Sequence, residues 1–260
     1  MLIGAMNHPG HDVRSEIEWI AAMGLEFLDL TIEPPAAASW MVDPREVRAL
    51  LDKSGLKVVG HTAFYLPLAN PFEPVRRAAV EECIRCLEIF AAVGAPWMNI
   101  HPDTDTPMHA KSFCMERNLK SLEEILVHAR RVGVGIMVEN LPGMDFNSVA
   151  DIGALLEQLP DLALHLDVGH AHLSTIPHNA AQILEAYGRR LRHVHLHDNK
   201  GGTQDLHLGL GCGNVDVPGA VRALKACGYD GTITLEVFSP DRAYLAHSRD
   251  LLRSLWNSIS

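Results

Sequence analysis

Short apolar runs alternate along the whole chain with longer stretches whose apolar positions recur every three or four residues. The runs cover residues 2–5, 27–32, 57–61, 97–101, 135–139, 162–167, 192–197 and 232–237. Runs of this length and apolarity read as strands of a buried sheet. Between them RSEIEWIAAMG, PREVRALLDKSG, VRRAAVEECIRCLEIFAAVG, ERNLKSLEEILVHARRVG and PGAVRALKACG read as amphipathic helices. Several close in Gly, the expected helix stop, and a last helix is predicted over 242–257. Strands that alternate with helices imply a parallel sheet. Eight such units in 260 residues predict an α/β chain folded as a single (β/α)8 barrel of the TIM type over residues 1–260, with one active site at the C-terminal strand ends.

The strand ends carry the chemistry. The third run ends at His61, the fourth at His101 and the fifth at Glu139. The sixth ends at Asp167, with His170 three residues on. The eighth carries Glu236. The seventh is the densest stretch in the chain, LRHVHLHDNKGGTQDLHLGLGCG from 191 to 213, where His193, His195 and His197 alternate with apolar residues before a polar loop that brings Asp205 and His207. Neutral imidazole and carboxylate are ligands for zinc and manganese. Barrel closure is therefore expected to gather His61, His101, Glu139, Asp167, His170, His195, Asp205, His207 and Glu236 around one to three divalent ions.

Composition narrows the reading. The formal charge is −10, a poor match to nucleic acid. No apolar stretch is long enough to span a membrane, and the start has no leader-like pattern, so a cytoplasmic place is expected. Five cysteines make no disulfide framework. Cys83 and Cys86 sit in a helical pattern and read as buried thiols rather than as a metal or redox pair.

The order VVGHTAFY, MNIHPD, VEN, LDVGHAH, HVHLHDNKG, DLHLGLGCGNVD and LEV resembles the xylose-isomerase-like barrel superfamily, which includes sugar isomerases and epimerases and endonuclease-IV-type AP endonucleases. The resemblance covers nearly the whole chain. It implies that Glu139, Asp167, His195 and Glu236 hold a central metal. In the endonuclease-like branch it implies a second metal at His61, His101 and Glu139, and a third at His170, Asp205 and His207. Cys212 departs from it, standing where many relatives have an acidic residue; a packed small thiol is expected there.

Two chemistries follow from these residues. One ion held by the central four leaves positions open for a hydroxy-carbonyl compound, whose enediolate a Lewis acid stabilises. By the same resemblance Glu139 and Glu236 would move the proton as catalytic carboxylates. The full set of nine would instead suit two or three ions about 3.5–4 Å apart in a phosphodiesterase. The loops after the strands favour the first. A nuclease needs Lys and Arg around its mouth, whereas TIEPPAAASWMV, TAFYLPLANPFEP and NLPGMDFN contain none. PDTDTPMHAKSFC holds only Lys111, and DNKGGTQDL only Lys200. Trp40, Phe64, Tyr65, Phe72, Phe113 and Phe146 occupy those loops instead, half of them expected in packing and the rest around a small pocket. The sequence thus predicts a metal-dependent isomerase or epimerase of a small sugar-like compound. The alternatives are an endonuclease-like phosphodiesterase and a metal- or sugar-binding barrel without turnover. His8, Glu33, Trp40, Tyr65, Asn140 and Lys200 are the candidate substrate contacts, with Asn7 and His11 behind them. Nucleic acid and membrane partners are not expected, and self-association is compatible with the sequence.

Overall fold

A residue pattern buried on both faces needs helices on one side and a filled interior on the other, and the chain meets both needs. The computed structural model describes residues 1–104, 106–143, 145–175 and 178–259. The apolar runs become β1 (Leu2–Met6), β2 (Phe27–Ile32), β3 (Lys57–Thr62), β4 (Trp97–Ile100), β5 (Gly135–Glu139), β6 (Ala163–Asp167), β7 (Leu191–Leu196) and β8 (Thr232–Leu235). The amphipathic stretches become α1 (Val13–Ala22), α2 (Pro44–Ser54), α3 (Glu73–Val93), α4 (Lys111–Val132), α5 (Val149–Gln158), α6 (Ala180–Tyr187), α7 (Val217–Ala226) and α8 (Ala243–Ser258). The eight strands follow one another in chain order and close into a parallel barrel. The fold is a (β/α)8 barrel.

Local signals set the element ends. Asp43 caps α2 by accepting the Arg45 N–H at 2.9 Å, and Pro44 starts the helix where no N–H is needed. Gly55, Gly94 and Gly133 stop α2, α3 and α4 in the left-handed conformation. Strands β4 and β8 end one residue before His101 and Glu236, so these two side chains stand on the first loop positions rather than in the ladder. Cys83 and Cys86 are buried on α3, and burial pushes the Cys83 thiol up to about 12. That thiol is inert at neutral pH.

The chain divides into two compact units. In the first, Met6–Glu139 with Ala154–Ala163, the register places Thr31 beside His61 and His61 beside Asn99. In the second, Met1–Ala5 with Asn140–Gly153 and Leu164–Ser260, it places Asp167 beside His195 and His195 beside Thr234. Side chains two residues apart on a strand share a face. His197 therefore continues the row of His193 and His195, and Glu236 continues that of Thr232 and Thr234.

Candidate metal centre

Each unit carries its own cluster of ligand-type side chains. In the first unit His61, His101 and Glu139 are buried, and one ligand atom from each lies within 4.8 Å of the others. The Glu139 carboxylate accepts from Asn99 Nδ2 at 2.5 Å and faces His101 Nε2 at 3.0 Å. The His61 and His101 rings stack at 5.0 Å. His61 Nδ1 lies 3.9 Å from Asp29 Oδ1. His101 Nδ1 is buried without a hydrogen-bond partner among the described residues.

The second unit gathers Asp167, His170, His195, Asp205, His207 and Glu236, and adds His197. Asp167 is fully buried at the end of β6, and its Oδ1 accepts the His170 N–H at 2.7 Å. Its Oδ2 faces His170 Nδ1 at 3.7 Å and His195 Nδ1 at 3.8 Å, and Oδ1 faces His197 Nε2 at 3.3 Å. His195 Nδ1 also faces Glu236 Oε2 at 3.2 Å. Asp205 Oδ2 lies 3.0 Å from His170 Nε2 and 3.0 Å from His207 Nε2. Burial works against charging Asp167, but the positive charge available on His170, His197 and His195 outweighs it and holds the carboxyl well below its ordinary range. The same contest lowers Asp205, through His170 and His207. It raises His207, where burial opposes charging and Asp205 and Glu236 overcome it.

These atoms fit a divalent cation better than they fit one another. Asp167 Oδ2, His197 Nε2 and Asp205 Oδ1 are all buried without a hydrogen-bond partner among the described residues. Orphaned buried polar atoms are costly unless something else meets them. A cation between carboxylates and imidazole lone pairs would satisfy them together.

His197 was absent from the ligand set read from the sequence. It is fully buried, its ring stacks on His207 at 4.3 Å, and Gly169 lies against it. A Cβ on Gly169 would come within 2.2 Å of His197 Cε1 and Nε2. Gly169→Ala is therefore expected to destabilise the protein by about 1–3 kcal/mol, the usual cost of overpacking, read as a lower urea midpoint at unchanged m-value. The signal that could have found His197 is its two-residue spacing from His195.

The other candidates divide by exposure. Glu33 is half-buried; burial pushes its carboxyl up, against a hydrogen bond from Tyr65 and the positive charge of His101 and His8. Phe64 is exposed, with its ring edge-on to Tyr65 at 5.1 Å and to His101 at 6.4 Å. Trp40 and Phe72 are exposed, Phe113 is half-buried and stacks on His109, and Phe146 is 1% exposed, so Phe146 packs inside rather than lining a mouth. His8 is exposed; its Nδ1 accepts from Gly10 N at 3.0 Å and its ring stacks on His11. Asn7 braces the Thr31 backbone in both directions, at 2.7 and 3.1 Å.

Three further candidates have these surroundings, and one expectation, at Cys212, changes. Asn140 is fully buried; its Oδ1 accepts the Asp167 N–H at 2.8 Å, and its Nδ2 donates to Asp167 O at 2.9 Å. It holds the Asp167 backbone in place. Lys200 is exposed on its loop. Cys212 is exposed, not packed, because the N–H groups of Gly211 and Gly213 on either side turn to Asp198 Oδ2, both at 2.9 Å.

Comparison with known proteins gives a family match. A family model described as xylose isomerase-like TIM barrel matches residues 17–255. An uncharacterised protein of Methanocaldococcus jannaschii is 30% identical over 236 residues, 85% of this chain and 78% of that one. A probable endonuclease 4 of Aquifex aeolicus is 27% identical over 234 residues, 78% of this chain and 79% of that one. Among solved structures, a D-tagatose 3-epimerase-like protein superposes with a TM-score of 0.88 at 24% identity, over 99% of this chain and 97% of that one.

Proposed function

Because the chain belongs to the xylose isomerase-like TIM barrel family, we propose that it is a divalent-metal-dependent isomerase or epimerase of a small sugar or related hydroxy-carbonyl compound. The observation that carries this reading is the pairing of buried ligand clusters with exposed aromatic rings. Phe64 lies against His101 in one unit, and the exposed Phe238 stacks on His207 at 4.4 Å in the other. Such a lining suits the face of a sugar-sized ligand. The loops after the strands supply only Lys200 and Arg242 as cations, with Lys111 opening α4, too few for the phosphate contacts of a nuclease.

The metal ligands proposed are Glu139, Asp167, His195 and Glu236, the set the family resemblance implies, with zinc or manganese as the ion. When bound, the ion supplies Lewis-acid polarisation of two neighbouring substrate oxygens and so acidifies the intervening C–H. Glu139 and Glu236 remove and return that proton. Asn99 and His101 hold the Glu139 carboxylate in one orientation, and Asn140 fixes the Asp167 backbone. Glu33 and Tyr65 are the proposed substrate contacts. A single barrel domain, a cytoplasmic place and a small-molecule partner go with this reading. Among the described residues, no helix is long and apolar enough to cross a membrane.

A second reading is a metal-dependent phosphodiesterase. The resemblance to the probable endonuclease 4 of Aquifex aeolicus favours it, as does the presence of all nine ligand-type residues.

Proton NMR in deuterated water with a panel of ketoses and added Mn(II) or Zn(II) tests the choice. Metal-dependent deuterium uptake at carbon is the expected result. Cleavage of abasic-site DNA with no exchange in any ketose would transfer the assignment to the phosphodiesterase.

A further inference from the structure

The geometry points to His197 as the fourth protein ligand of a coordinatively closed, structural ion held by His170, His197, Asp205 and His207. The inference rests on the metal-dependent reading above but assigns this ion a different task from the one at Glu236. One ligand atom from each of the four residues lies within 4.8 Å of all the others.

The tautomers are the main reason. His170 Nδ1 lies 2.9 Å from the Asn140 carbonyl, His197 Nδ1 lies 3.4 Å from the Asp198 carbonyl, and His207 Nδ1 lies 3.3 Å from the Glu236 carbonyl. A carbonyl only accepts, so each Nδ1 carries its proton. In each neutral ring Nε2 is then a bare lone pair. All three Nε2 atoms face carboxylate oxygens: His170 and His207 at 3.0 Å from Asp205 Oδ2, and His197 at 3.6 Å from Asp205 Oδ1 and 3.3 Å from Asp167 Oδ1. Three lone pairs aimed at an anion repel it. Three imidazolium ions, two of them buried, would crowd charge at the ring separations of 4.3, 5.6 and 6.2 Å found here. One cation resolves both conflicts, and backbone acceptors on the far nitrogens are the usual way metal-bound imidazoles are oriented.

The spacings suit four-coordination. Ligand bonds of about 2.0–2.1 Å give ligand-to-ligand edges of about 3.3 Å; Asp205 Oδ2 lies 3.0 Å from both His170 Nε2 and His207 Nε2, and His197 Nε2 lies 3.6 Å from the other oxygen, Oδ1. His197 Nε2 is buried and has no hydrogen-bond partner among the described residues. Three histidines and one aspartate complete four-coordination, and closed sites of that kind are structural rather than catalytic. The ion would clasp the segment carrying Asp205 and His207 to the end of β7.

Cobalt(II) reports the geometry, because four-coordinate cobalt absorbs visible light far more strongly than five- or six-coordinate cobalt. The whole apoprotein is titrated with Co(II) and, separately, with Zn(II) against a chelator. Wild type is expected to develop the intense visible band. His197→Asn and His197→Gln should lose that band and bind the zinc ion more than about a hundredfold more weakly, beyond the loss typical of an outer-layer partner. Asp167→Asn should keep the band. Ion uptake by wild type with only weak visible absorption, or a band and affinity unchanged in a folded His197 variant, overturns the closed site and leaves the metal-dependent reading standing. No ion uptake at all by wild type removes both.

Discussion

Glu236→Gln is expected to lower turnover by at least about a hundredfold and up to ten-thousandfold, the range a positioned general base supplies, with little loss of folding. Glu236 is 7% exposed, with Oε2 3.2 Å from His195 Nδ1 and 3.5 Å from His207 Nδ1. Glutamine has nearly the same shape and keeps one oxygen for those neighbours. It loses the negative charge and the capacity to take a proton. Packing therefore changes little while the chemistry goes. Deuterium incorporation per active centre, followed with the same ketose that wild type exchanges, measures the effect; the urea midpoint monitors folding. Wild-type exchange rates in the variant would remove Glu236 from the mechanism. A normal rate of proton exchange with a weakened Kd for the metal would make it a ligand only.

The barrel was legible because its signal is redundant. Eight apolar runs separated by amphipathic stretches leave few arrangements open, and the strand bounds agree with those in the structure to within two residues. The ligand-type residues were legible because they end the strands. His197 ends the seventh apolar run, yet the family resemblance assigns a ligand only to His195 in that alternation, and nothing in the residue pattern tells the two apart. The burial of Asn140 and Phe146 is not legible in the sequence because exposure is a tertiary property. A polar residue after a strand and an aromatic residue in a loop both read as mouth positions, yet both are buried here. The protonated nitrogen of each histidine depends on which backbone carbonyl lies behind it, and no residue pattern records that.

Asp198→Ala should be the most damaging single change to stability outside the hydrophobic core, costing about 3–5 kcal/mol. From sequence Asp198 simply follows His197 at the start of the polar loop after β7. In the structure it is 1% exposed and its carboxylate collects four backbone N–H groups: Asn199 at 2.9 Å and Val215 at 3.0 Å on Oδ1, Gly211 and Gly213 at 2.9 Å each on Oδ2. Its own backbone pairs with Leu208 in both directions, at 2.9 and 2.8 Å. Both ends of the segment that carries Asp205 and His207 are therefore tied to one carboxylate. The approach is close enough that a Cβ on Gly213 would sit 2.1 Å from the Asn199 carbonyl oxygen and 2.4 Å from Asp198 Oδ1, which is why glycine stands there. A hydrogen bond to a charged group is worth about 1.5–3 kcal/mol, and a buried donor left unmet costs about 1–3 kcal/mol. Water entering the vacated space would recover part of the sum of four. Against a total stability of about 5–15 kcal/mol, the remainder brings the protein close to its unfolding threshold. Asp198→Asn should recover less than half of the loss, since its amide N–H groups would face two of the four donors. Urea unfolding at constant m-value measures both variants. A loss of less than about 1 kcal/mol in Asp198→Ala would mean that the segment is held by its other contacts, and that Asp205 and His207 keep their places without this carboxylate.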